Sequence, residues 1–195
     1  IIGGGMANTF LLDKGVEVGR SLVEAEMVET ARRIMEAAKQ RGCEILLPTD
    51  VVVADSFAAN APHVVVPVDQ VKADGMILDV GPQTVAILTQ SLDTLATLLW
   101  NGPLGAFELE PFGEGTFAIA RAAADRVSAG KLVAVAGGGD TVAALNAAGV
   151  TDRFTYVSTA GGAFLEWLEG RELPGVVALL QNQASAHKND QLEEV

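Results

Sequence analysis

Three stretches of this chain carry residue types that can hold a phosphate. Gly137-Gly138-Gly139-Asp140-Thr141 follows directly on the apolar run Leu132–Ala136. Glycines let the backbone turn sharply and approach a ligand with no Cβ in the way. A helix opening there would aim unpaired N–H groups and its positive dipole end at an anion. Asp140 can hold a divalent cation that bridges phosphate oxygens, and Thr141 can add a hydroxyl. The same residues also suit a plain strand-to-helix turn in which Asp140 caps the helix. Ser158-Thr159-Ala160-Gly161-Gly162 is a second turn of this kind. Phosphoryl transfer needs such pairs, because charge on the moving group must be stabilised from several sides.

The third stretch runs from Trp100 to Glu108. Asn101 can donate to a phosphate, Pro103 can pack against a sugar, and Glu108 can accept from ribose hydroxyls; a structured loop around a buried Trp is the alternative. Other chemistries find little support. There is no G-x-x-x-x-G-K-[ST] loop, and no G-x-G-x-x-G with an acidic residue ~20 positions on, which argues against P-loop and dinucleotide sites. His63 and His187 have no partners at metal-ligand spacing; His63 is read as the start of a strand. Cys43 has no neighbouring base and is read as a buried structural thiol. With 13 basic against 25 acidic residues, the chain lacks the clustered cations of a nucleic-acid surface. Any anion must be met by backbone amides, helix dipoles or a metal ion.

The elements that position these residues follow from the apolar pattern. Short runs closed by turn residues read as strands: 45–48, 51–54, 64–67, 76–79, 98–100, 132–136 and 155–157. Ile1-Ile2 ahead of Gly3-Gly4-Gly5 reads as the stub of a strand whose beginning is missing. Ser21 and Glu24 read as a capping box for a helix reaching Gln40, and Pro82 suits the first turn of another. Helices are also expected over 116–129, from Gly139 to about Ala148, and from Gly162 to about Gly170. This alternation predicts an α/β fold, three-layer and Rossmann-like, with a parallel sheet and helices on both faces. Its ligands would sit at the carboxyl ends of the strands. One domain is expected over 1–180, followed by a polar tail over 181–195 with little to bury. No apolar run approaches the ~20 residues of a membrane span, and the single cysteine fits a reducing, cytoplasmic setting.

Six motifs then stand in a familiar order: Gly3-Gly4-Gly5-Met6-Ala7, Leu47-Pro48-Thr49-Asp50, Leu78-Asp79-Val80-Gly81-Pro82, Trp100-Asn101-Gly102-Pro103, Gly137-Gly138-Gly139-Asp140-Thr141 and Leu173-Pro174-Gly175-Val176. Together they resemble the C-terminal half of phosphoglycerate kinase. The resemblance implies phosphoryl transfer between 1,3-bisphosphoglycerate and ADP, with magnesium, in a monomeric cytoplasmic enzyme of glycolysis. It implies that Gly3, Gly4 and Gly5 line the adenine pocket, that Glu108 bonds the ribose, and that Asn101 reaches the phosphates. Asp140 would hold the magnesium, the backbones of Gly138, Gly139 and Thr141 the phosphate oxygens, and Gly139 and Gly162 would start two helices aimed at the transferred group. The family's lysine-bearing segment before Gly3 and its phosphoglycerate-binding N-terminal domain are not in this sequence, so the chain alone is expected to be inactive. Ala160 stands where many relatives have a glycine. The rival expectation is a non-catalytic fragment that binds nucleotide or self-associates.

Overall fold

Valine-rich runs and proline- or glycine-marked ends decide most of the local structure. The computed structural model describes residues 1–158, 160, 162, 163, 166 and 169–178. Its strands are β1 (Asp50–Ala54), β2 (His63–Pro67), β3 (Met76–Val80), β4 (Thr97–Trp100), β5 (Val133–Gly137) and β6 (Tyr156–Ser158). Its helices include α1 (Gly4–Asp13), α2 (Val28–Gln40), α3 (Pro82–Ser91), α4 (Glu114–Ser128) and α5 (Gly139–Ala148). The expected tail and His187 lie outside the described residues. No described helix is long and apolar enough to cross a membrane.

The α/β fold holds a three-stranded parallel sheet flanked by helices, in the order β4-β5-β6. The first three strands differ from the expected parallel pattern: they form a second sheet, β2-β1-β3, antiparallel throughout. The reason is connection length. Only residues 55–62 join β1 to β2, and a parallel return needs a crossover of a dozen residues or more.

Alanine sets the packing of the parallel sheet. Ala120, Ala123 and Ala124 of α4 and Ala134 and Ala136 of β5 are fully buried in one cluster. Such small side chains bring helix and strand axes close, and Leu88, Leu92, Leu145 and Phe154 fill the margins. Helices α3, α4 and α5 pack side by side. Asp50 ties the antiparallel sheet to α3. Its buried carboxylate accepts from Gln83 N–H (3.0 Å) and Thr84 N–H (2.7 Å), capping α3 from β1. The Thr84 hydroxyl completes the clasp 2.7 Å from Asp50 Oδ1.

Three local expectations are corrected. Ser21 caps no helix: its hydroxyl donates to Val18 O and accepts from Ile77 N–H (2.8 Å), and α2 begins only at Val28, behind a short 3-10 turn. Cys43 is exposed, because it lies past the end of α2 and not inside a strand. Residues 45–48 form no strand; their one ladder-like bond is Ile2 N–H to Leu46 O, 3.0 Å.

Candidate functional site

A cleft of about 870 Å³ opens between the two sheets. Gly3, Gly4, Gly5, Asn101, Pro103 and Glu108 all line it, so six residues singled out from sequence share one cavity. A smaller hollow of about 280 Å³ on the antiparallel sheet contains none of them.

The glycine run is dictated first by packing. Gly3 is the extended residue before α1, and a Cβ there would come within 3.2 Å of the Leu104 Cα and overlap that side chain. Gly4 takes φ +59° and donates to Leu104 O at 2.9 Å. A Cβ on Gly5 would stand 2.9 Å from the Leu22 side chain. The head of α1 therefore lies flat on the Asn101–Glu108 loop.

That loop is pinned from several sides. The Trp100 indole N–H donates to Gly102 O (2.6 Å), Leu104 N–H to Thr116 Oγ1 (2.9 Å), and Ala106 N–H to Leu78 O (2.8 Å). Gly102 N–H donates to Thr141 Oγ1 at 2.6 Å, so the buried Thr141 hydroxyl is committed to the loop. Asn101 and Glu108 remain exposed. Gly138 sits beside Asn101 at φ +97°, and a Cβ there would come within 2.8 Å of Asn101 Oδ1.

The phosphate-type turns lie at matching ends of neighbouring strands. Gly137 of β5 is in register with Ser158 of β6, and Gly138 N–H reaches Ser158 O at 3.3 Å. Helix α5 starts at Gly139 with no side-chain cap, and Asp140 is exposed in its first turn. The cap alternative for Asp140 therefore does not hold. Gly162, four residues past Ser158, is helical and exposed, and nothing lies within 4 Å of a Cβ at Gly139 or Gly162. Thr159 and Gly161 fall outside the described residues. Among the described residues no group of three or more His, Cys, Asp or Glu could hold a metal. Asp140 alone suits magnesium only where substrate phosphates supply other ligands, which is the usual habit of that ion.

The cleft also contains residues that sequence reasoning missed. Phe57, Leu22, Met6 and Leu78 line its apolar walls, and Phe57, Leu22 and Met6 are exposed. An aromatic in the polar turn after β1 was the one available signal. Asp79 lines the same cavity and is buried; desolvation pushes its carboxyl up to about 7, while the amides of Gly115 and Val80 pull it down.

A family model described as phosphoglycerate kinase matches residues 1–171. The chain is similar to the phosphoglycerate kinase of Azorhizobium caulinodans, 62% identical over 92% of this chain and 45% of that protein. It is 63% identical to that of Dinoroseobacter shibae, over 92% of this chain and 46% of the relative. Among solved structures, phosphoglycerate kinase from Coxiella burnetii superposes with a TM-score of 0.83 at 44% identity, covering 87% of this chain and 43% of that one. The enzyme from Pyrococcus horikoshii gives 0.72 at 29% identity, over 91% and 44%. The chain thus spans about half the length of the relatives it matches.

Proposed function

The chain belongs to the phosphoglycerate kinase family, and on that premise we propose that it is the nucleotide-binding, C-terminal part of such an enzyme. The whole protein would transfer the acyl phosphoryl group of 1,3-bisphosphoglycerate to ADP, giving 3-phosphoglycerate and ATP, as a cytoplasmic monomer. One observation carries the reading: glycines 3–5, Asn101, Pro103 and Glu108 converge on a single cleft whose loop touches the Gly138 turn.

In this reading the base lies in the apolar half of the cleft, against Phe57, Leu78 and the glycine run. Pro103 packs on the ribose and Glu108 accepts from its hydroxyls. Asn101 and the backbone amides of Gly138, Gly139 and Thr141 orient the phosphates. The helix starts at Gly139 and Gly162 face the group in flight, where fixed N–H donors lower the barrier without reorganising. Asp140 would hold magnesium together with the phosphates, the ion supplying charge neutralisation there. The attacking oxygen belongs to ADP and the leaving oxygen to the acyl carboxylate, so no side chain becomes bonded to phosphorus. The rest is positioning.

The phosphoglycerate would be held by the family's other domain, so this chain alone should show no measurable turnover in a coupled assay. Titration calorimetry with ADP and magnesium tests the binding half: the chain should bind, and Asp140→Ala should weaken binding about tenfold or more, ~1.4 kcal/mol per decade. No heat with either protein would remove the nucleotide reading. It would favour a self-associating fragment instead, for which β4, an outer strand of its sheet, and the exposed Leu99, Val133 and Tyr156 offer a surface.

A further inference from the structure

Asp79 is a buried carboxylate with no ion-pair partner among the described residues, directly beneath the cleft. Its Oδ1 accepts from Val80 N–H (2.8 Å) and its Oδ2 from Gly115 N–H (2.9 Å) in the first turn of α4. Gly105 closes the third side: a Cβ there would collide with the carboxylate and the Phe112 carbonyl. One at Gly115 would come within 2.7 Å of Oδ1. Strand β3, helix α4 and the 101–113 loop therefore meet on a single charge. Two other anchors of the loop belong to its neighbours, since Leu78 O receives Ala106 and Thr116 Oγ1 receives Leu104.

We propose that Asp79 is a positioning residue of the nucleotide cleft: its ionised carboxylate holds the head of α4 through Gly115 N–H, and through the next residue, Thr116, which receives Leu104 N–H, and the close approach of Gly105, it keeps the Asn101–Glu108 loop in the register that binds the nucleoside. This rests on the nucleotide reading of the cleft. Charge-assisted bonds to two amides are stronger than those of a neutral carboxyl, so a proton on Asp79 slackens the grip. Burial favours that proton, placing the change near neutrality. The charged groups on the surrounding elements are Glu114, Arg121, Asp125 and Arg126 on α4, Glu108 and Glu110 in the loop, Asp50 on β1, and Asp13 on α1 with Lys14 just past its end. Of these Glu114 alone bears on Asp79, and it adds to the rise. Ionisation thus tightens the loop while burying a charge, so affinity and global stability move in opposite directions with pH. A residue that only props up the fold would move both together.

The test uses this chain with adenosine, which carries no phosphate to titrate in the same range. As pH falls through about 7, adenosine affinity should drop several-fold while the urea midpoint rises. Amide exchange at Ala106 should quicken, relative to Ala134 in the core. Asp79→Asn should abolish both pH slopes and hold affinity at its weak, low-pH level. Ala106 protection that is flat with pH in the unaltered chain, a measurement needing no variant, would overturn the proposal. So would a slope that persists in Asp79→Asn. If Ala106 protection titrates but adenosine never binds, the nucleotide reading falls and the loop-holding role stands.

Discussion

At the scale of single residues, the cleft combines exposed side chains open to a ligand, Asn101 and Glu108, with buried ones that hold the backbone. Asp79 belongs to the second kind, and its proton has a thermodynamic consequence. The folded chain keeps that proton up to about pH 7, whereas an unfolded aspartate gives it up near ~4. Stability from this group is therefore full below about pH 4, declines as pH rises, and is lost above about 7, by at most about 4 kcal/mol. Urea unfolding between those limits should show this fall, and Asp79→Asn should remove it. Gly138 makes a sharper demand. Its φ of +97° and the nearness of Asn101 Oδ1 both exclude a side chain, so Gly138→Ala should cost about 1–3 kcal/mol in unfolding experiments and weaken ADP binding by pushing Asn101 aside. Asn101 and Glu108, which line the cleft, stood out beforehand as candidates because polar groups in a glycine-rich turn have few other uses. Phe57 and Leu78 did not, since an apolar residue reads as core until the fold shows it facing a cavity.

Elements were legible where length and punctuation agreed. Pro82 marked the start of α3, and the uninterrupted apolar run before Gly137 marked β5. Orientation was harder: Val-rich runs look alike whether their neighbours are parallel or antiparallel, and only the eight residues between β1 and β2 forbade a crossover. The capping-box reading of Ser21 failed for a related reason. The hydroxyl serves a distant strand, through Ile77 N–H, and tertiary partners override local pattern. The Asp50–Thr84 clasp was invisible too, because it joins residues 34 apart. Asp50→Ala would leave two α3 amides, those of Gln83 and Thr84, without their acceptor, while the Thr84 hydroxyl keeps the Asp50 backbone carbonyl. It should lower stability by about 2–4 kcal/mol in urea, with the α3 amides exchanging sooner than those of β5.

At the scale of the molecule, the cleft lies between two sheets and draws walls from both. A ligand seated there adds its binding free energy to the folded state, about 2.7 kcal/mol at a hundredfold excess over its dissociation constant. Thermal unfolding with ADP and magnesium should shift upward accordingly, and Asp140→Ala should shrink the shift. The family assignment rested on motif order and glycine turns, which short sequence stretches can carry. The partition into two sheets did not, because it depends on which strands meet. One bond between distant parts has a further consequence. Gly102 N–H on Thr141 Oγ1 fastens the loop proposed to hold the sugar to the turn proposed to hold the phosphates, so neither half can settle without setting the other. The pieces of a nucleotide, offered separately, should then recruit one another: pyrophosphate should bind more tightly once adenosine is in place, and removing the hydroxyl at Thr141 should make the two fragments strangers.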